Sequence, residues 1–374
     1  MIYFDHNATS PLHPAARKAW LEASEQYPGN PSSPHRFGSR ADHALEGARA
    51  RLAEILGCGP REIVWTSGAT ESNNLALHHF SQLLPRGTEV WVSAVEHPCV
   101  LAGARFHFAG RWRPVPVSRA GVVELEWLER EARRRRPGFV AVMAANNETG
   151  VCQPWPAVGE WCRAQGVPFL CDATQWLGRL PGAGLGQCDF VSGSAHKFGG
   201  PKGLGFLKCP PGARLRPLLL GGPQEEGRRA GTENVAGALA MLAVLELWEQ
   251  ALTSGEQNQR ESWRKNFERR MVADLPGAAI IGADAPRLWN TVSALMPETG
   301  RPVRWVVKLD KRGFAVSTGS ACSSGRETPS HVLAALGYGL EAASRVLRFS
   351  SGWETPEREW RGLAQALRQV AAAT

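Results

Sequence analysis

With 374 residues, 43% hydrophobic side chains and a formal net charge of +8, the chain is long enough to bury a large core and is neither disordered nor fibrous in composition. Its positive excess is mostly arginine scattered among acids. Only Arg133 to Arg136 forms a run, which reads as the last turn of a helix beginning near Glu124 rather than as a nucleic-acid patch. The amino terminus Met1-Ile-Tyr-Phe-Asp-His-Asn lacks the charged and apolar regions of a secretory leader, and no later apolar run reads as a membrane span. A cytoplasmic protein with no nucleic-acid or membrane partner is expected. The eight cysteines include no Cys-x-x-Cys pair and no cluster at zinc spacing, so no metal site is expected; most read as small buried hydrophobes.

In chain order, Tyr3 to Leu12 is a short extended entry, followed by a helix from about Pro14 to Gln26. The stretch Pro28-Gly-Asn-Pro-Ser-Ser-Pro-His must be a loop; it either lines a site through Asn30, Ser32 and His35 or is ordinary surface. Ala41, Leu45, Ala48, Leu52, Ile55 and Leu56 recur at helical spacing up to Gly57. The period then changes: Glu62-Ile-Val-Trp-Thr is strand-like, and Ser67-Gly-Ala-Thr-Glu-Ser turns sharply into a helix. The free N–H groups at that start, from Ala69 on, with the Ser67 and Thr70 hydroxyls, suit an anion; the alternative is a plain cap with Glu71 in the first turn.

Strands at Glu89 to Val95, near Val115 and from Gly138 to Met143 then alternate with helices from about Pro98 and Glu124. This predicts an α/β fold with a mostly parallel sheet whose ligands bind at the carboxyl ends of the strands. Polar clusters fall at those ends: Glu96-His97, Asn146-Asn147-Glu148-Thr149-Gly150, Asp172-Ala-Thr-Gln175, and the glycine-rich loop around Lys197. The polar stretch after Leu252 divides the chain into a large cofactor-binding domain, 11–255, and a smaller α+β domain made of 1–10 and 256–374.

A lysine amine set among Ser194, His196 and several glycines suits an aldehyde cofactor with a phosphate tail. Pyridoxal 5′-phosphate needs that lysine, a carboxylate beside its ring nitrogen, and a phosphate cradle. Asp172 suits the nitrogen; Thr70, Ser194 and His196 suit the phosphate; His97 suits the ring face; and Gln175 suits donation to the phenolic oxygen.

The motifs Thr66-Ser-Gly-Ala-Thr-Glu-Ser, Glu96-His97, Asn147-Glu-Thr-Gly, Asp172-Ala-Thr-Gln, Gly193-Ser-Ala-His-Lys, Arg229-Ala-Gly-Thr-Glu-Asn and Thr318-Gly-Ser-Ala-Cys-Ser-Ser-Gly occur together and in this order. The chain thereby resembles the cysteine desulfurases of the NifS/IscS group, within the class V aminotransferases. The resemblance implies a homodimeric pyridoxal-phosphate transferase of fold type I. Such an enzyme converts L-cysteine to L-alanine, leaves the sulfur on its own cysteine as a persulfide, and passes it to an acceptor protein such as an iron–sulfur scaffold or to another thio-cofactor pathway.

By position, Lys197 would bond to the cofactor aldehyde, Asp172 would partner the ring nitrogen and His97 would stack and shuttle protons. Asn147 and Gln175 would contact the cofactor, Thr232 would reach the phosphate of the dimer partner, and Arg348 would clamp the substrate carboxylate, with Asn147 beside it. Cys322, in a run of small residues that builds no core and is expected to be mobile, is the expected nucleophile. Pro223 and Glu226 depart from the family's usual glycine or histidine and basic residue. Two other readings stay open at this point: a selenocysteine or cystine lyase of the same fold, and a non-catalytic scaffold paralogue.

Overall fold

Short runs of valine, leucine, phenylalanine and tryptophan, each followed by a helix, can bury their backbones only as central strands covered on both faces. The computed structural model, which describes residues 1–299, 303–318 and 330–373, has this arrangement. After β1 (Ile2–Tyr3), α1 (Pro14–Gln26) and α2 (Arg36–Leu56) come β2 (Ile63–Thr66), α3 (Ala69–Leu83), β3 (Val90–Ser93), α4 (Pro98–His107), β4 (Trp112–Val115) and α5 (Leu125–Ala132). Then follow β5 (Phe139–Ala141), α6 (Trp155–Gln165), β6 (Phe169–Asp172), β7 (Phe190–Ser194), β8 (Gly205–Lys208) and α7 (Val235–Thr253).

The seven-stranded sheet runs β2-β8-β7-β6-β5-β3-β4. Pairings from β7 outward to β4 are parallel, and β8 alone lies antiparallel to both its neighbours, β2 and β7. That inversion matters. It lets β7 return within one tight connection, so that Ser194 faces Gly205 across the ladder and Lys197 projects from the turn between them. The close fit requires glycine at 205, where a Cβ would lie 2.4 Å from Gly193 O and 2.5 Å from Gly68 Cα.

The rest of the chain builds a second core. After α8 (Glu256–Asp274), β9 (Ala279–Ile280) and β10 (Thr291–Leu295), β11 (Phe314–Ala315) pairs in parallel with β1, while β12 (Val346–Ser350), β10 and β9 form an antiparallel sheet. Phe4, Phe267, Val292, Phe349 and Trp360 meet beneath it. The segment around helix His331–Ala335 differs from the sequence division, because Val332, Leu333 and Leu336 join the core of the large sheet instead. Ser330 Oγ donates to Glu148 and His331 Nε2 bonds to Glu96 O, fastening the segment at the sheet's carboxyl edge.

Two sequence expectations change, and one alternative left open narrows. The helix before the arginine run ends at Ala132, so Arg133 to Arg136 follow it; Arg134 pairs with Glu131, Arg135 with Glu89, and Arg136 donates to Gly166 O. In the proline-rich loop, Asn30 Oδ1 accepts from Ser32 N and His35 Nδ1 caps α2, and none of Asn30, Ser32 and His35 borders the cavity of Lys197. Helix α7 is long and apolar enough by length and composition to cross a membrane, contrary to the sequence reading; it packs along α1 and α2.

Gly205→Ala is expected to lower the unfolding midpoint by an amount equivalent to about 1–3 kcal/mol, because backbone on both sides must give way. Thermal melting against the parent checks this, with Gly339→Ala, where a Cβ meets open space and φ is −69°, as the comparison.

Candidate active site

The carboxyl ends of the parallel strands and the start of α3 enclose a cavity of about 500 Å³. Each strand delivers its polar residue there because the apolar run stops at the sheet edge. His97 caps α4 after β3, Asn147 follows β5, Asp172 ends β6, and Ser194, His196 and Lys197 end β7. Ala69, Thr70 and Gln175 also border it. Among the described residues, the structure thus brings together every site residue expected from the sequence except Thr232 and Arg348.

Lys197 Nζ donates to Asn7 O and Ala8 O, both at 2.8 Å. Burial, and then the Arg179 and Arg348 guanidinium groups, lower its pKa to about 8, against the pull of Asp172 and Asp5. Arg179 is buried behind the cavity; its Nη1 and Nη2 donate to Gln175 O and Lys197 O at 3.0 Å each, and burial brings its own pKa down to about 9. A far larger share of this amine is therefore neutral and nucleophilic near neutral pH than of an ordinary lysine, and the neutral form dominates above about pH 8.

Asp172 is 4% exposed; Asn73 Nδ2 donates to its Oδ2 at 2.7 Å and Thr174 N to its Oδ1 at 2.9 Å. These donors fix the plane of the carboxylate. His97 Nδ1 accepts the Cys99 amide at 3.2 Å, and since a backbone N–H only donates, a neutral His97 carries its proton on Nε2. Burial lowers the pKa of His97, with Lys197 adding to this and Asp172 opposing it. Neighbouring Cys99 is a poor nucleophile, because burial, then Asp172, push its thiol up to about 12.

The start of α3 resolves the two readings of that turn. Gly68 is the N-cap, with φ 151° and no side-chain cap, so the first N–H groups of the helix are uncapped toward the cavity. Glu71 does not cap the helix; it accepts from Ser67 N at 2.7 Å and pairs with Arg229 at 2.9 Å. Burial pushes Glu71 up, but the hydrogen bonds from Arg229 and Ser67 outweigh it and leave the carboxylate below its usual range. With Ser194 and His196 alongside, this is an anion cradle. His196 bonds to Thr9 Oγ1 at 3.1 Å, and burial, then Lys197, bring its pKa down to about 4.

Pyridoxal phosphate fits the donor set: an amine for its aldehyde, a fixed carboxylate, and free helix amides for its phosphate. Two buried polar atoms at the wall, Thr174 Oγ1 and Gln175 Oε1, lack partners among the described residues. Gln175 differs from expectation in one respect, because its Nε2 donates to Asn7 O at 2.9 Å.

Arg348 also differs. It is 1% exposed and lies behind the cavity wall, with Nη1 donating to Asn147 O at 2.9 Å and Nη2 paired with Asp5 at 2.6 Å. Thr232 is exposed and borders a separate hollow with Glu225 and Arg229. Cys322 lies outside the described residues. Sequence reasoning missed Asn7, Asn73, Arg179 and Asp5. Only Asp5-His-Asn7 carried a signal, three polar residues ending a short strand at the chain entry.

The fold and site define a pyridoxal-phosphate enzyme of fold type I. The chain belongs to the aminotransferase class-V family, whose model matches residues 2–359. It is 39% identical over 362 residues to a cysteine desulfurase of Klebsiella pneumoniae, covering 96% of this chain and 89% of that protein. Among solved structures, a NifS-like protein aligns with a TM-score of 0.89 at 31% identity over 100% of both chains. A structure of SspA in complex with cysteine aligns with a TM-score of 0.81 at 29% identity, over 94% of this chain and 98% of that one.

The lowered pKa of Lys197 makes a direct prediction. In cofactor-free protein, its reaction rate with pyridoxal phosphate should rise with pH and level off above about 8, instead of climbing toward the ordinary lysine value of 10.5. Arg179→Met removes a like charge and should move that midpoint upward. Stopped-flow absorbance across pH 6 to 11 reads both.

Proposed function

We propose that this chain is a cysteine desulfurase that converts L-cysteine to L-alanine and takes the sulfur onto Cys322 as a persulfide. The observation that carries the reading is one cavity holding a buried lysine of lowered pKa, a carboxylate fixed by Asn73, and an uncapped helix start. When bound, pyridoxal phosphate supplies an aldehyde that captures the substrate amine and a ring that withdraws electrons from the substrate Cα. Lys197 would hold the cofactor through its aldehyde and would take the substrate Cα proton, and its reduced basicity suits it to give that proton back. Asp172 keeps the ring nitrogen protonated, Thr70, Ser194, His196 and the Ala69 amide bind the phosphate, and His97 covers the ring.

Cys322 then attacks the substrate sulfur as a thiolate. The Cβ–S bond breaks, a new S–S bond forms, and the two bonding electrons stay with carbon, which picks up protons to become alanine. Cysteine and a protein thiol thus become alanine and a protein persulfide, with no outside oxidant. Arg348, beside Asn147, receives the substrate carboxylate in this reading.

Two further parts of the reading concern assembly and setting. A second copy of the chain would complete the phosphate site through Thr232, which is exposed in the single chain and set apart from its own cavity. The next recipient of the sulfur would be an acceptor protein, such as one that builds iron–sulfur clusters. All seven described cysteines are free, in keeping with a reducing, cytoplasmic setting.

Mass spectrometry after incubation of the loaded enzyme with L-cysteine should find one added sulfur on Cys322. Cys322→Ala should remain yellow and bind cysteine, yet lose nearly all alanine formation. Full alanine production by that variant would overturn the persulfide step in favour of direct elimination. Lys197→Ala should lose the covalently held cofactor, read by mass spectrometry as absence of the pyridoxyl-lysine adduct that borohydride reduction before denaturation leaves on the parent.

A further inference from the structure

Removing the charge of Arg348 from water is costly unless a counter-charge comes with it. Asp5 supplies one, with Oδ1 accepting from Nη2 at 2.6 Å, while Nη1 donates to Asn147 O. The two partners are unequally placed, since the Asp5 side chain is 24% exposed and that of Arg348 is 1% exposed. The contact between them also differs in kind from those that hold their main chains. Asp5 pairs with Ser350 in a parallel bridge, and its carbonyl accepts from Ala8 N at 3.0 Å. Arg348 exchanges backbone hydrogen bonds with Ser317 at 2.7 and 3.2 Å, and its strand β12 is bonded along its length to β10. Either side chain can therefore change partners while both strands stay where they are.

The same guanidinium is the one that receives the substrate carboxylate under the proposed function, and the inference rests on that reading. A carboxylate already occupies it. An incoming α-carboxylate has the same charge, shape and acceptor geometry as the Asp5 side chain, and two anions converging on one guanidinium repel each other.

We propose that Asp5 is an exchangeable stand-in for the substrate carboxylate: it neutralises Arg348 in the empty site and gives way to the amino acid. Exchange of one charge-assisted hydrogen bond for another leaves no buried charge stranded at any stage. The price appears as a weakened apparent affinity, so Asp5 sets KM. A ligand without a carboxylate has nothing with which to displace Asp5, which makes the pair a selector for amino acids over amines.

The test uses the full-length holoenzyme. Asp5→Asn keeps the shape and one hydrogen-bond acceptor but removes the competing charge. KM for L-cysteine should fall about fivefold, the scale of one partly exposed competing ion pair, with the change in KM rather than in kcat. Without substrate the variant should melt at a lower temperature than the parent, and saturating L-alanine should raise its melting point more than the parent's. A raised KM with a lowered kcat would mean that Asp5 only orients Arg348, and the proposal fails. Asp5→Ser provides the same comparison should the asparagine variant fold poorly. Arg348→Lys separates the two layers of the argument. If it raises KM and Asp5→Asn does not lower it, exchange is wrong and the clamp stands; if Arg348→Lys leaves KM unchanged, the clamp itself falls and the inference with it.

Discussion

The burial of one amine governs this structure. Lys197 must be close to neutral to be useful, and a lysine in water is not. The protein obtains the shift by placing the side chain where solvent is scarce, denying it a carboxylate in direct contact, and giving it two carbonyl oxygens, those of Asn7 and Ala8, to satisfy its N–H groups. Arg179 completes the device from behind, since it contributes positive charge while spending its own donors on the main chain of Gln175 and Lys197. Asp172 also bears on the amine, but its carboxylate is taken by Asn73 and Thr174. Carboxylate and amine thus face the same cavity without forming the ion pair that would disable the lysine.

That arrangement depends on how β7 turns back. A parallel crossover would carry the chain away from the sheet edge, whereas the antiparallel return through β8 keeps Ser194, His196 and Lys197 at the cavity. It also explains the glycines. Gly205 lies against both Gly193 and Gly68, so the strand that follows the lysine turn is the wall on which the anion cradle rests. The amine end and the phosphate end of the site are set by one close backbone contact.

Much of this was legible in the sequence because it is local. Changes of period marked the strands, turn chemistry marked their ends, and residues such as Asp172 and Lys197 declare themselves when a polar group interrupts an apolar run. What stayed hidden is non-local. Asn7 is separated by 140 residues from Asn147, whose carbonyl its side chain bonds, and by 284 from Thr291, whose hydroxyl it bonds; its carbonyl meanwhile accepts from both Lys197 and Gln175. Nothing in the neighbourhood of Asn7 announces those partners. The committed donor of Gln175 was hidden for the same reason, and so was the retreat of Arg348 behind the wall.

Asn7 and Asp5 also tie the two cores into one working unit. Phe4, just before Asp5 in sequence, anchors the second core, Asn7 bonds the strand that carries Thr291 and the loop that carries Asn147, and Asp5 bonds Arg348. The chain entry therefore touches the amine of the large domain and the guanidinium of the small one within three residues. Motion of the small core relative to the large sheet would pull on both contacts at once. Under the proposed function the substrate amine and carboxylate would be received on opposite sides of that seam, so that an α-amino acid would bridge the same two elements that Asp5 and Asn7 bridge.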